Sequence, residues 1–262
     1  MFIKKQKYGK INFGDMMKKI LFVLPILLLT TSCNKNNDSN SSCFDYELKA
    51  DNTYRVSLKA DSKEKDITIP SKHKSKKITE IASFRRNDYI ETLKFYSNIT
   101  TIENGAFGYC KNLKSITVSN SKYYSSTNGN LYSSDGLFAY ASGKDDESIE
   151  ITDNILSKAF ILAPNLKEIK INASNVESDS IYYLDNIRAI TIGSKVKTID
   201  SNFYCGTMLE KLYINNSEIV DKIDIDFASK IYVFKGLKLS DKTLEKYELK
   251  EYNETYDIYE VK

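Results

Sequence analysis

Apolar residues recur along this chain neither at helical spacing nor in simple alternation, but in a fixed group that returns several times. Between Ile99 and Val118 (ITTIENGAFGYCKNLKSITV), Ile99 and Ile102 stand three apart, and Ala106-Phe107 and Cys110 follow. The group ends in Leu113, Ile116 and Val118. Such an ending predicts a short strand whose alternate side chains face inward. Counted from Phe107, its three apolar residues lie six, nine and eleven positions on. The same offsets give Ile90, Leu93 and Phe95 from Phe84; Leu166, Ile169 and Ile171 from Phe160; Ile187, Ile190 and Ile192 from Ile181; and Leu209, Leu212 and Ile214 from Phe203. Successive anchors are 23, 53, 21 and 22 residues apart. One such unit cannot bury its own apolar face, so copies must stack on either side of it.

The L-x-x-L-x-L spacing is that of a leucine-rich repeat strand. The order I-x-x-I, A-F, C, L-x-x-I-x-V resembles the BspA-like leucine-rich repeat family of bacterial surface proteins, from about Tyr46 to the end of the chain. Two units depart from the pattern. Phe84 follows Ile81 by three residues, where Phe107 follows Ile102 by five, and Ile181 replaces the phenylalanine. The resemblance implies surface attachment and partner binding rather than one reaction. The expected fold is a mainly β leucine-rich repeat solenoid of about five units, with short or irregular connections and β caps at both ends. Its short parallel strands would form one continuous sheet along a face.

The ends differ from the middle. Lys18 and Lys19 precede the apolar run Ile20 to Leu29, which gives way to Thr30-Thr31-Ser32-Cys33. A positive start, a short apolar stretch and a small residue before the cut describe a secretory signal, and the run is too short to span a bilayer. Ser32 directly before Cys33 resembles a bacterial lipoprotein signal, with Cys33 as the lipid-attachment residue. Met16 or Met17 would begin a signal of conventional length. Residues 33–43 form a polar, low-complexity tether. An N-terminal β cap is expected over 44–76, with a hairpin across Asp51-Asn52 and a strand ending at Pro70. Repeats are expected over 77–233 and a C-terminal cap over 234–262, with a short helix about Leu244 to Leu249. The 53-residue gap holds an insert, 119–147, in which Ser133-Ser134-Asp135-Gly136 predicts a hairpin turn. Tyr123, Tyr124, Tyr132 and Tyr140 sit in or beside it.

Charge changes the picture less than it first suggests. The formal net charge is +3, but residues 1–32 hold six lysines and one aspartate, and the remainder is acidic by two. A basic nucleic-acid surface is not supported, and no cofactor-binding motif is present. The one histidine, His73, lies among lysines in a predicted turn, so neither a Ser–His–Asp nor a Cys–His arrangement nor a common zinc site can be assembled. Cys110 and Cys205 are expected at a small core-facing position that Asn87 and Ala163 fill in other units, while Cys43 falls in the tether. The Ser71-x-x-Lys74 and Ser119-x-x-Lys122 matches to a nucleophile motif lack a K-T-G partner. The acidic runs at 144–147 and at Asp221, Asp224 and Asp226 lack the glycine and distal glutamate of an EF-hand loop.

No catalytic or metal residue is therefore expected. Outward-facing strand positions include Lys114, Ser115 and Thr117; Lys167, Glu168 and Lys170; Arg188, Ala189 and Thr191; and Glu210, Lys211 and Tyr213. This mixed-charge face suits a protein better than a small molecule. The expected function is a lipid-anchored, cell-surface adhesion or interaction module, attached to the membrane through its lipid and binding an extracellular protein or neighbouring cell. The alternative is an envelope structural lipoprotein with a partner in the same cell. Clustered exposed aromatics on the hairpin would favour the first.

Overall fold

The computed structural model describes residues 43–219, 223 and 225–262; the signal, Cys33 and nearly all of the tether lie outside them. The described chain is a mostly β solenoid of about eight turns. Its first hairpin pairs Phe44–Leu48 with Tyr54–Leu58, turning at Asn52, whose φ is 66°. Tyr54–Leu58 then runs parallel to Lys76–Ile81, and Lys76–Ile81 parallel to Thr101–Ile102. The hairpin is thus fused to the repeats. Cys43 is no tether residue in this respect: its side chain is buried in the core and its carbonyl accepts from Lys59 N.

Eight strands form the rungs. Asp66–Thr68, Thr92–Tyr96 and Ser115–Ser119 make a parallel three-stranded ladder, with Ile67, Leu93 and Ile116 in register. Asp66–Thr68, expected in the cap, is therefore already a rung. Ile67 and Ile69 alternate inward like the end of a repeat and are buried. The second ladder pairs Ser148–Ile151, Glu168–Ile171, Ala189–Ile192, Leu209–Ile214 and Ala228–Phe234 in parallel. Tyr256–Val261 and Tyr247–Tyr252 add two antiparallel strands, completing a seven-stranded sheet. Rungs 66–68 and 228–234 have no aromatic residue at the anchor distance, and rung 148–151 has Tyr140 there but Asp146 in place of the first apolar residue, which is why the anchor pattern counts five units.

The expected single sheet is broken in two by the insert. Tyr124–Thr127, Asn130–Ser133 and Gly136–Ala139 form their own antiparallel sheet, with Ser133 opposite Gly136, so the expected hairpin is present but its two loop residues are Ser134 and Asp135, not Asp135 and Gly136. Backbone groups of the rung before it are claimed by the insert: Ile116 N donates to Gly129 O, and Gly143 N donates to Leu113 O. Ser115–Ser119 therefore cannot pair with the following rung. The buried side chains fall into two clusters, and the hairpin serves both, Leu131 entering the N-terminal cluster and Leu137 the C-terminal one.

Two devices recur between turns. Asn112, Asn165 and Asn186 donate from Nδ2 to Asp88 O (2.6 Å), Lys144 O (2.9 Å) and Pro164 O (2.6 Å), one rung back in each case. Two residues past the anchor, Arg86, Tyr109, Leu162 and Tyr183 adopt φ between 52° and 61°, a left-handed corner unusual for such side chains. The corner aims amides at the next turn: Arg86 N donates to Gly108 O, Leu162 N to Tyr182 O and Tyr183 N to Cys205 O. At the C-terminal end the short helix is Asp241–Lys246, capped by Ser240 Oγ accepting from Thr243 N. It stops earlier than expected because Tyr247 is drawn into the core, its hydroxyl 2.6 Å from Ala228 O and 2.9 Å from Ile225 O.

Candidate interaction surface

Side chains alternate across the seven-stranded sheet, so its outer face presents aligned columns of residues. One column runs Glu150, Lys170, Thr191, Tyr213 and Tyr232; the one beside it runs Ser148, Glu168, Ala189, Lys211 and Lys230. Beyond the strand ends, Asn172, Gly193 and Asn215 continue the same alternation. Their inward neighbours, from Ile169 and Ile190 to Leu212 and Ile231, are fully buried. Among the positions expected to face outward, Lys167, Glu168, Lys170, Arg188, Glu210 and Lys211 are exposed, while Ala189 is 92% covered, its relative exposure being 8%.

Tyrosines dominate one end of this face. Tyr213 stacks on Tyr232 at 4.4 Å and 27°, and Tyr256 meets Tyr213 edge-on at 5.5 Å. Tyr256 also contacts Tyr232 at 6.1 Å and Phe234 at 6.2 Å. Phe234 remains 46% exposed. These geometries are the offset and edge-on arrangements that aromatic quadrupoles favour. Burial, the Tyr232 ring and the Glu168 carboxylate all push the Tyr213 phenol upward in pKa.

Beside the tyrosines lies a groove of about 500 Å³. It exists because one rung is small at every outward position, Ala189, Thr191 and Gly193, between rungs that carry long side chains. Tyr213 and Asn215 line one side, Glu168, Lys170 and Asn172 the other, and Tyr256 one end. The Asn215 side-chain oxygen is itself buried and has no hydrogen-bond partner.

The insert tyrosines do not form an exposed cluster, so the hairpin does not supply the feature that would favour an extracellular partner. Tyr140 is buried against Phe160 at 4.9 Å, and Tyr124 packs between Phe95 and Phe138. Only Tyr123 of the four is exposed. The aromatic surface lies instead where Leu212-Tyr213-Ile214 and Ile231-Tyr232-Val233 put a tyrosine in the outward slot of two adjacent rungs. That signal was present in the sequence, but Tyr256 joins it only through the antiparallel return of the last strand.

Other candidates have structural roles. His73 stacks on Tyr46 at 3.8 Å and meets Tyr54 edge-on. Asp146 accepts from Tyr140 and pairs with Lys144, Glu147 pairs with Lys167, and Asp226 pairs with Lys246. Cys110 is fully buried and its thiol donates to Phe84 O at 2.9 Å. Cys205 is not equivalent to it. The short strand there is shifted by one residue, Ile181 pairing with Tyr204 rather than Phe203, so Cys205 aligns with half-exposed Tyr182.

The family described as BspA type leucine rich repeat region, in six copies, matches residues 58–137 and 132–252. The chain belongs to this family. In this BspA-type chain the matched stretch spans both ladders and the insert. No curated protein sequence matches it. Among solved structures it is similar to a leucine-rich cell surface protein from Faecalibacterium prausnitzii, at 13% identity and a TM-score of 0.40, covering 81% of this chain and 97% of that one. It is also similar to a leucine-rich repeat protein of T. pallidum, at 15% identity and a TM-score of 0.33, covering 68% and 71%. A leucine-rich repeat protein from Bacteroides ovatus matches at 15% identity and a TM-score of 0.31, covering 78% of each chain. Among the described residues, no helix is long and apolar enough to cross a membrane.

Proposed function

We propose that this chain is a lipid-anchored surface protein, held through Cys33, whose outward sheet face binds an extracellular protein. The observation that carries the reading is the aromatic cluster of Tyr213, Tyr232, Tyr256 and Phe234 on a rigid ladder. Rigid tyrosines lose little freedom on binding and are enriched at the energetic centres of protein interfaces. The exposed Lys211 and Glu210 beside them provide a polar rim. Members of the BspA-type family are cell-surface proteins whose repeats serve as interaction modules, and they are generally non-enzymatic. We assign no catalytic role to any residue and no nucleic-acid partner.

Protease treatment of intact cells, followed by detection of residues 44–262, tests the location. Rapid loss supports surface display, and protection until lysis favours an envelope partner in the same cell. Cys33→Ser should abolish incorporation of labelled fatty acid and release the protein from the membrane. Labelling that survives this change would overturn the anchor. For the binding face, Tyr232→Ala with Phe234→Ser should reduce attachment of purified protein to host or neighbouring cells at least tenfold.

A further inference from the structure

The groove beside the tyrosines combines an aromatic wall with two carboxamides over a floor of small residues. Neighbouring strands lie about 4.8 Å apart, so the two rungs flanking Thr191 stand about 10 Å from each other. Between them the floor is made of a methyl group, a hydroxyl-bearing threonine and a glycine over which the Asn172 side-chain oxygen lies. Tyr213 spends one ring face on Tyr232, and the groove lies on its other side. The volume, about 500 Å³, falls within the range of about 300–1,000 Å³ usual for small-molecule sites.

We infer that this groove, floored by Ala189, Thr191 and Gly193 and walled by Tyr213, binds a neutral pyranose unit of a glycan. The axial C–H bonds on one face of a pyranose are weakly positive and match the negative face of an aromatic ring. Each sugar hydroxyl both donates and accepts, so it needs walls that do both. The carboxamides of Asn172 and Asn215 line the groove and carry donors and acceptors in one group, with one Asn172 amide hydrogen already held by Glu150. Glu168 and Lys170, on the same wall, balance one another in charge and favour neither an anion nor a cation. An extended peptide has less to gain here. The backbone of Ala189–Ile192 is paired in parallel on both sides, which leaves no strand edge for a peptide to extend. Tyr213 and Tyr256 belong to both this groove and the proposed protein-binding cluster, whereas Phe234 and Tyr232 lie outside the groove, so variants at those two residues separate the readings.

The test uses the full chain and its Thr191→Trp and Tyr213→Ala variants. Saturation-transfer NMR and titration calorimetry are run against cellotetraose, chitotetraose, xylotetraose and maltotetraose, with tetragalacturonate as the charged control. Thr191 faces outward, so tryptophan fills the groove without entering the core, and circular dichroism checks that each variant is folded. The expected result is saturable binding of at least one neutral tetrasaccharide. Thr191→Trp should weaken it more than tenfold, as should Tyr213→Ala. Absence of binding by all four neutral sugars, preference for the galacturonate, or binding indifferent to Thr191→Trp would each overturn the inference.

Discussion

The side-chain oxygen of Asn172 lies over Gly193, so close that a Cβ on the glycine would stand 1.8 Å from it. The same asparagine donates to Glu150 Oε1 at 2.6 Å, so its position is held from the other side. Gly193 is needed for space rather than for backbone freedom. Gly193→Ala should cost about 1–3 kcal/mol, the usual range for overpacking, measured by urea unfolding. Asn172→Ala in the same chain should restore most of that loss. No recovery would identify Ile171 O, 2.9 Å from the same point, as the real obstacle.

The asparagine ladder invites a similar measurement. Asn165 sits on the surface, yet its amide reaches Lys144 O across one turn. Asn165→Ala should destabilise the fold by about 0.5–1.5 kcal/mol, the net worth of an ordinary hydrogen bond. A change in denaturation midpoint too small to measure would show that water replaces the amide at no loss.

Two thiols should behave oppositely. Burial pushes the Cys110 thiol up to about 11, whereas Cys205 is only half-buried. In the native protein a thiol reagent at pH 8 should modify Cys205 quickly and Cys110 only on unfolding. The folded state retains the Cys110 proton where the unfolded chain has already lost it. That contribution is therefore intact below about pH 8.5, the ordinary cysteine value, and stability falls as pH rises from there toward 11. Cys110→Ala should flatten this part of the stability profile. An unchanged slope would assign the loss to tyrosines such as Tyr204, whose phenol burial pushes up to about 12.

Leu212 and Tyr213 are adjacent but face opposite sides of the sheet. Leu212 is fully buried, and Leu212→Ala should cost about 2–5 kcal/mol through lost burial and the cavity left behind. Tyr213→Ala should cost less than half as much, because only its contacts with Tyr232 and Tyr256 are lost. Equal losses in thermal unfolding would mean that the tyrosines stabilise the sheet and are not held ready for a ligand.

The repeat was legible because Leu113, Ile116 and Val118 and their copies alternate inward with little variation. Rungs without a Phe107-like anchor were harder to see. Ile67 and Ile231 have the right pattern but no aromatic residue upstream at the counted distance. The sheet break was invisible for another reason: the insert takes backbone hydrogen bonds, such as Ile116 N to Gly129 O, that leave no mark on side-chain spacing. The groove depends on which small residues neighbour which large ones between rungs. Ala189, Thr191 and Gly193 are unremarkable in order along the chain, and become a site only when Lys170 and Tyr213 are placed on either side.

The Leu131–Leu137 hairpin, with one foot in each buried cluster, has a mechanical meaning. Two stacks of turns are joined end to end by a clasp whose antiparallel strands can be peeled apart one bond pair at a time. A molecule tethered at one end and pulled by its partner at the other would carry load through this clasp. Extension should then proceed in two steps, the hairpin yielding between them, and the protein would act as a fuse as well as a spacer.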